Sequence, residues 1–547
     1  MISGTILVSP MGSFPILILE SGLDSNVLLF PNMKGIRTMK KRVMNLVNFV
    51  RGCEPRQPWQ DLYTPIKEEI AINKSYGFDH TVLLQYDAII RPDMVALMKA
   101  EADEHMELGL WFEMGRPLTE AVGIEWRGRP GYDWDWYVNP GFLPAYTPAQ
   151  REALIDEAFR LFKETFGYYP RVAGSWLLDT HSIAYMSDKY DLTAICICRE
   201  QWAVDAYTLW GGYYSGGYYP SRKNMLCPAQ SPEAGCKTPV FRMLGLDPLY
   251  GYDESKYTDK IWGCPTMEPV WGPGSNPDAV DWYLETYYKN PCLILSQMTT
   301  GQENSFGWDM IQNGYRMQAA KIAEYRDKGL LSVQKLGETG ADMQATTPIT
   351  PASALVAYGD WAHDGSNPDE VCRSVWYSCK NYRVNLFQRG DKLFIRDLTK
   401  FDDRYTERYM ERPCEAWDAV YDNLPVVDSR IWSKDGKDCA LTFDTPAKGF
   451  TAVEHGHALE VTVRFKNGCH GLIYLAPHGI TFEGCGVMSY NVGVPNDTAI
   501  SCTDNIFSFT HNGYDYVISV EGCRIEETAN GYRMVPTAAV KVDMSKR

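Results

Sequence analysis

Apolar residues in this chain are arranged in two ways, one before and one after about residue 335. Before it they come in solid blocks: residues 44–50, 80–87, 109–113, 172–178, 192–198, 240–244 and 292–296. Short unbroken apolar runs bounded by Gly, Pro or charged residues predict strands buried on both faces. Segments with helical spacing lie between them, at residues 67–70, 92–105 and 148–166. The last is amphipathic, with Thr147 placed to cap it and Pro148 at its first position. Strands alternating with helices predict βαβ units and a parallel sheet. Seven such strands predict an α/β fold of the (β/α)7 barrel type rather than an open sheet.

After residue 335 the pattern changes. Residues 337–365 carry Thr-Thr-Pro-Ile-Thr-Pro and no clear period, and are expected to be loop. Residues 459–465, 471–475 and 516–520 then alternate apolar with polar, which predicts a β-sandwich-like region. The expected divisions are an unstructured extension at 1–43, a barrel at 44–335 and a β-rich domain at 336–547. Ile16, Leu17, Ile18 and Leu19 form an apolar patch in the extension, but no basic stretch precedes them, so it does not read as a signal peptide. Met39 and Met44 are alternative starts.

Composition narrows the function. The 547 residues carry a net charge of −16, which argues against nucleic acid or an anionic membrane surface as partner. No apolar run reaches the roughly 20 residues that span a bilayer. The 15 cysteines include no CxxC pair; Cys196 and Cys198 would share one strand face as small core residues. Free buried thiols fit a reducing cytoplasm. An oligomer remains open. Aromatic content is high, with 16 Trp, 34 Tyr and 20 Phe. Flat rings suit the C–H faces of sugars, and equally suit cores.

Candidate chemistry lies where strands end. Glu54, Asp87, Glu113, Asp179 and Glu303 each follow a predicted strand, and the C-terminal ends of barrel strands are where such folds hold their active sites. Glycoside hydrolysis typically uses two carboxyl groups, one as proton donor and one as nucleophile or base. The alternative for each acid is a structural ion pair with Arg51, Arg56, Arg116 or Arg242. Aromatic inserts flank these acids. Trp134, Trp136 and Tyr137 follow the third strand, Tyr207, Trp210, Tyr213 and Tyr214 follow the fifth, and Trp308 follows Glu303. They read as sugar-stacking rings or as packing between insert and barrel. Arg222, Lys223 and Asn224 could bind an anionic sugar or form a solvated loop.

The stretch Gly174-Ser175-Trp176-Leu177-Leu178-Asp179 resembles the Gly-x-Trp-x-x-Glu motif of glycoside hydrolase family 57, whose acid is the nucleophile. The stretch Gly301-Gln302-Glu303-Asn304-Ser305-Phe306-Gly307-Trp308 is similar to that family's Asp-x-Glu-x-Phe-Gly-His. There the general acid stands four residues before Phe, where this chain has Gln302; Glu303 is one residue nearer. The family's early His-x-His motif is absent from residues 50–54. The resemblance is confined to short stretches within residues 46–335. It implies a seven-stranded barrel of the kind shared with NodB-like polysaccharide deacetylases and family 38 mannosidases.

Those relatives bind a divalent metal. This chain lacks their Asp-Asp, His-x-x-x-His and His-x-Asp elements and has only His80, His105 and His181 in the barrel, so neither a metal nor another cofactor is expected. The expectation is a cytoplasmic carbohydrate-active enzyme, a metal-free glycoside hydrolase with Asp179, Glu303 and Glu113 as catalytic acids. Glu54, Arg51, Asp87, Trp176, His181, Tyr207, Trp210, Gln302 and Trp308 would contact the carbohydrate. His181 also reads as a packing or capping histidine. A deacetylase-like enzyme and a non-catalytic glycan-binding barrel are the alternatives.

Overall fold

The computed structural model describes residues 41–198, 212–243, 245, 247–252, 265–362, 367, 369–420, 422–429, 432–433, 438–493 and 498–545. Two regions, each with its own sheet, make up one compact unit. The first sheet contains β1 (Lys41–Val50), β2 (His80–Leu84), β3 (Met106–Trp111), β4 (Val172–Ser175), β5 (Ala194–Ile197), β6 (Gly217–Tyr218), β7 (Val240–Arg242), β8 (Leu295–Thr300) and β9 (Ser332–Gln334). Its order is β6-β7-β5-β4-β3-β2-β1-β8, with β9 also on β1. Seven strands, β7-β5-β4-β3-β2-β1-β8, pair in parallel throughout. Only the short β6 is antiparallel to its neighbour.

The sheet curls into a nearly closed barrel. Its ends, β7 and β8, are bridged by the segment around Met267. Met267 N donates to Gly245 O at 2.8 Å, and Thr300 Oγ1 donates to Met267 O at 3.1 Å. Seven predicted apolar blocks therefore match seven parallel strands, each near its expected place. The sequence set their ends less well. The first strand begins at Lys41, and the last runs Leu295–Thr300 rather than 292–296. The strand before Asp179 stops at Ser175, because Trp176, Leu177 and Leu178 already turn into the next helix.

Inside the barrel mouth three rings interlock, Phe49 on β1, Trp111 on β3 and Trp176 just past β4. Phe49 stacks on Trp111 with centroids 4.7 Å apart, and Trp176 meets both edge-on at 4.9 and 5.3 Å. The helix Pro148–Phe166 closes one flank; Thr147 caps it as its sequence predicts, Gln150 completes a capping box, and the helix ends at Gly167.

One element corrects the expected loop at 337–365. Residues Leu336–Thr346 form a helix, and Ser353–Ala357 a strand. Gly337 and Gly340 look like helix breakers in sequence, but they let the helix lie directly on the barrel. A Cβ at Gly340 would strike the Thr193 carbonyl, and one at Gly337 would strike the Glu107 carboxyl. Leu336, Thr339 and Met343 complete the same buried face.

The second sheet has fifteen antiparallel strands among the described residues, from Ser353–Ala357 to Gly531–Asp543. Alternation sets its core: Leu459, Val461, Val463 and Phe465 all face in along Ala458–Phe465. A long loop between its strands Lys392–Lys400 and Leu424–Asp428 reaches the barrel rim. Cys414 N donates to Pro144 O at 2.7 Å, and Val138 N donates to Trp417 O at 2.9 Å.

Candidate active site

Three sequence candidates converge at the mouth, from three strands. Arg51 is the first residue past β1, Glu113 lies two past β3, and Glu303 lies three past β8. Side chains two apart on an extended chain share a face, so Trp111 and Glu113 point together, and Trp111 Nε1 donates to Glu113 Oε1 at 2.8 Å. Glu303 arrives because the chain turns sharply at Gly301. That residue has φ 151°, and a Cβ there would strike the Val47 carbonyl. Asn304 then ties this turn to β1: its amide donates to Arg51 O, and its Oδ1 accepts from Arg51 N, both at 2.9 Å.

Arg51 sits between the two acids. Its Nη2 lies 2.5 Å from Glu303 Oε1 and 3.7 Å from Glu113 Oε2. All three side chains are buried. Trp134, from the insert after β3, covers the group: its ring lies 3.6 Å from the Arg51 guanidinium, and its Nε1 donates to Glu113 Oε2. Ser305 donates to Glu303 Oε1. Burial pushes the Glu113 carboxyl up to about 7; the Arg51 charge opposes the rise, the Glu303 charge adds to it, and the two indole donors oppose it. The group is not saturated. Arg51 Nε and Nη2 and Glu303 Oε2 make no hydrogen bond among the described residues, leaving Nη2 only its ion pair.

Asp179 lies in a different network. It caps the helix Thr180–Lys189, its Oδ1 accepting from Ser182 N at 2.9 Å and its Oδ2 from Ser182 Oγ at 2.7 Å. Arg151 Nη1 donates to Oδ1 at 2.9 Å. The remaining Arg151 donors go to the carbonyls of Leu143, Tyr146, Pro144 and Tyr409. Beside them Glu407, from the long loop of the second sheet, accepts from Thr180 N and Met225 N. Burial, followed by the nearby Asp179 charge, pushes Glu407 up to about 8.

The other candidates divide. Glu54, at φ 51°, accepts from Asp133 N and gives its carbonyl to Arg51, next to the pair. Asp87 braces the same loop, accepting from Gly52 N at 3.0 Å and from Cys53 Sγ at 2.7 Å, and burial raises its pKa. Gln302 donates to Glu268 at 2.7 Å and accepts from Val270 N at 2.9 Å. Trp176 belongs to the ring layer below the pair, and Trp308 starts the helix Trp308–Asp327 near Arg316. His181 pairs with Glu152 at 3.1 Å. Tyr213 and Tyr214 pack toward the second sheet, Tyr214 stacking on Trp376 at 4.5 Å. Arg222 makes a two-pronged pair with Asp188, and Asn224 donates to Asp422 O. Tyr207 and Trp210 lie outside the described residues.

Sequence reasoning missed Trp134 as a donor to Glu113, together with Trp111, Ser305, Arg151 and Glu407. Trp111 was legible from its i, i+2 relation to Glu113. Trp134, Ser305 and Glu407 come from connecting segments and Arg151 from the helix Pro148–Phe166, and no local pattern encodes their approach.

The donor set at the mouth does not suit a divalent metal. The cation between the carboxylates is the Arg51 guanidinium. The barrel histidines point elsewhere, His80 to Phe78 O, His105 to Asp79 and His181 to Glu152. Among the described residues no three His, Cys, Asp or Glu side chains gather into a metal site, and no helix is long and apolar enough to cross a membrane.

Fold and site together define a parallel-stranded barrel protein with an arginine-bridged carboxyl pair at its mouth. No protein-family model and no curated protein matches the chain. Among solved structures it is similar to a protein from Parabacteroides distasonis provisionally described as a glycoside hydrolase/deacetylase, with 16% identity and a TM-score of 0.48 over 70% of this chain and 90% of that one. It is also similar to a provisionally described polysaccharide deacetylase from Mycobacterium smegmatis, with 10% identity and a TM-score of 0.32 over 57% and 93%. A family 57 branching enzyme from Thermococcus kodakaraensis matches with 9% identity and a TM-score of 0.29 over 55% and 70%. Both groups that the sequence motifs resemble are thus among its structural neighbours.

Proposed function

We propose that the protein is a carbohydrate-active enzyme, a glycoside hydrolase whose working acids are Glu113 and Glu303. The observation that carries this reading is the pair itself: two buried carboxyl groups at strand ends, one pushed up to about 7, sharing one incompletely bonded arginine. In this reading the parallel sheet, with the helix Leu336–Thr346 packed on it, is a (β/α)7-type barrel that starts at Lys41. The strands from Ser353–Ala357 onward form a β-sandwich-like buttress, and the location is cytoplasmic.

A carboxyl group that stays protonated near neutral pH can donate a proton to a leaving oxygen. Glu113 has that property, and the Glu303 carboxylate next to Arg51 supplies the negative partner. Oxygens 2.5 and 3.7 Å from one nitrogen fall short of the roughly 6.5–9.5 Å spacing that admits a water between two acids in inverting enzymes. The reading is therefore a retaining double displacement. Glu303 attacks the anomeric carbon while Glu113 protonates the departing oxygen. Glu113 then takes a proton from the water that releases the sugar from Glu303. Trp134 must swing aside for substrate to reach the pair. Asp179 has its hydrogen bonds filled, and its role in this reading is to hold the helix and Arg151.

A second reading, a glycan-binding barrel without catalysis, is favoured by one observation: Trp134 closes completely over the pair. A panel of aryl glycosides tests both, with parent, Glu113→Gln, Glu303→Gln and Asp179→Asn proteins. Hydrolysis by the parent that both Gln variants lose supports the enzyme. Hydrolysis that survives both Gln substitutions removes the pair from the mechanism. A parent that cleaves no member of the panel favours the binding barrel.

A further inference from the structure

We propose that Trp136, Tyr137 and Trp417 form a platform that binds an extended, neutral polysaccharide chain, leading from the carboxyl pair to solvent across both regions of the molecule. This rests on reading the pair as a glycan site, and it adds the class of substrate: a polymer rather than a small glycoside. A line of rings begins at Trp134, whose indole is bonded to Glu113. Trp136 follows with its centroid 6.2 Å away and its plane tilted by 48°, then Tyr137 at 5.3 Å and 39°, then Trp417 at 3.7 Å, set edge-on at 75°, so the faces turn stepwise along the line instead of lying in one plane. Exposure rises along the line. Trp134 is 6% exposed, Trp136 and Tyr137 are half-buried, and Trp417 is 59% exposed.

Trp417 comes from the long loop of the second sheet and the other rings from the barrel insert. Backbone and side-chain bonds hold the two together, from Val138 N to Trp417 O at 2.9 Å and from Asn139 Nδ2 to Glu415 O at 3.1 Å. Flat apolar faces set between polar groups recognise sugar rings, which offer C–H faces and hydroxyls together. Charge argues for a neutral chain. Two guanidiniums among the described residues stack on these rings: Arg51 lies 3.6 Å from Trp134 and pairs with Glu303 and Glu113, and Arg129 stacks 4.1 Å over both Trp136 and Tyr132 and pairs with Asp135 at 3.3 Å. Both stacked guanidiniums already face carboxylates, which leaves uronates or sulfates little to pair with. The chain as a whole is acidic, at −16, which disfavours polyanions further.

Affinity electrophoresis of the full chain in gels cast with xyloglucan, galactomannan, mixed-linkage β-glucan or amylopectin tests this. At least one polymer should retard the parent. Trp417→Ala and Trp417→Gln should weaken that retardation about tenfold, the loss of one good stacking contact, and Trp417→Phe should keep most of it. Tyr168→Ala, an exposed ring just before β4 and so on the opposite face of the barrel, should behave as the parent. The platform is overturned if no polymer retards the parent, if both ring-free variants are retarded as the parent is, or if Tyr168→Ala loses as much as Trp417→Ala. The two readings fail separately. Trp417-dependent retention by a parent that hydrolyses nothing sinks the catalytic proposal and leaves the platform. Hydrolysis that needs Glu113, with retention indifferent to Trp417, does the reverse.

Discussion

Two buried arginine–carboxylate clusters sit on the same rim, and they differ in how completely they are bonded. Around Asp179, every nitrogen of Arg151 has an acceptor, and both carboxylate oxygens take hydrogen bonds. Around Glu303, Arg51 Nε and Nη2 and Glu303 Oε2 make no hydrogen bond among the described residues. Residue types and burial are alike, so neither separates the roles. Saturation does. A filled network has nothing to gain from a ligand and serves as a fastener. Buried polar atoms left short of partners are costly to a fold, and they persist where a ligand or a reaction uses them.

The comparison breaks most decisively through activity. Glu113→Gln and Glu303→Gln should each lower kcat on an aryl glycoside by roughly 10²–10⁴-fold, the usual worth of a positioned acid or base. Glu113→Gln, which leaves the Arg51–Glu303 pair in place, should keep a melting temperature close to the parent's, while Glu303→Gln removes the nearer counter-charge and should lower it. The reverse pattern, intact turnover with a collapsed melting temperature, would make this cluster the fastener. Next comes stability. Asp179→Ala strands Arg151 without its counter-charge and should cost about 3–5 kcal/mol in urea unfolding. Turnover per folded molecule should persist. An Asp179→Ala protein that is stable but inactive would exchange the two assignments.

Titration sharpens the contrast at smaller scale. Glu113, raised to about 7, is the proposed acid, so kcat should fall as pH rises through about 7. The Trp134 indole bond favours its ionised form, and Trp134→Phe should move that limb upward. Glu407 tests the fastened side. Its folded value, about 8, stands above that of an unfolded glutamate, so the native state holds the proton more tightly. Its contribution is full below about pH 4.5 and declines as pH rises towards 8. Unfolding midpoints across that range should show the decline, and Glu407→Gln should flatten it. Smallest of all, His181→Ala removes a partly exposed pair with Glu152 and should change stability by about 0.5 kcal/mol or less, with turnover unaltered.

Much of the barrel could be read in advance because its strands are buried on both faces, which leaves solid apolar blocks in the sequence. The Thr147 cap was legible for a similar reason, since capping is chemistry between residues three apart. The helix Leu336–Thr346 was not, because Gly337 and Gly340 serve contacts with Glu107 and Thr193, far away along the chain. Of the site, Glu113 and Glu303 were named from their places after strands, and Arg51 as a partner for such acids or a substrate contact. The Gly174–Asp179 motif put Asp179 first, but an Asp followed by a helix is also what an N-cap looks like.

The sequence alone determined which residues lie at strand ends, which faces are buried, and that acids and aromatic rings would crowd one rim. Those follow from periodicity and local geometry, which act over a few residues. Only the tertiary structure decided which acids meet. It brought Arg51 to Glu303 across some 250 positions, placed Trp134 over them, and delivered Glu407 and Trp417 from the second sheet. Charge coupling and hydrogen-bond saturation depend on distances of a few ångströms between segments remote in sequence, and no single-chain pattern records those distances.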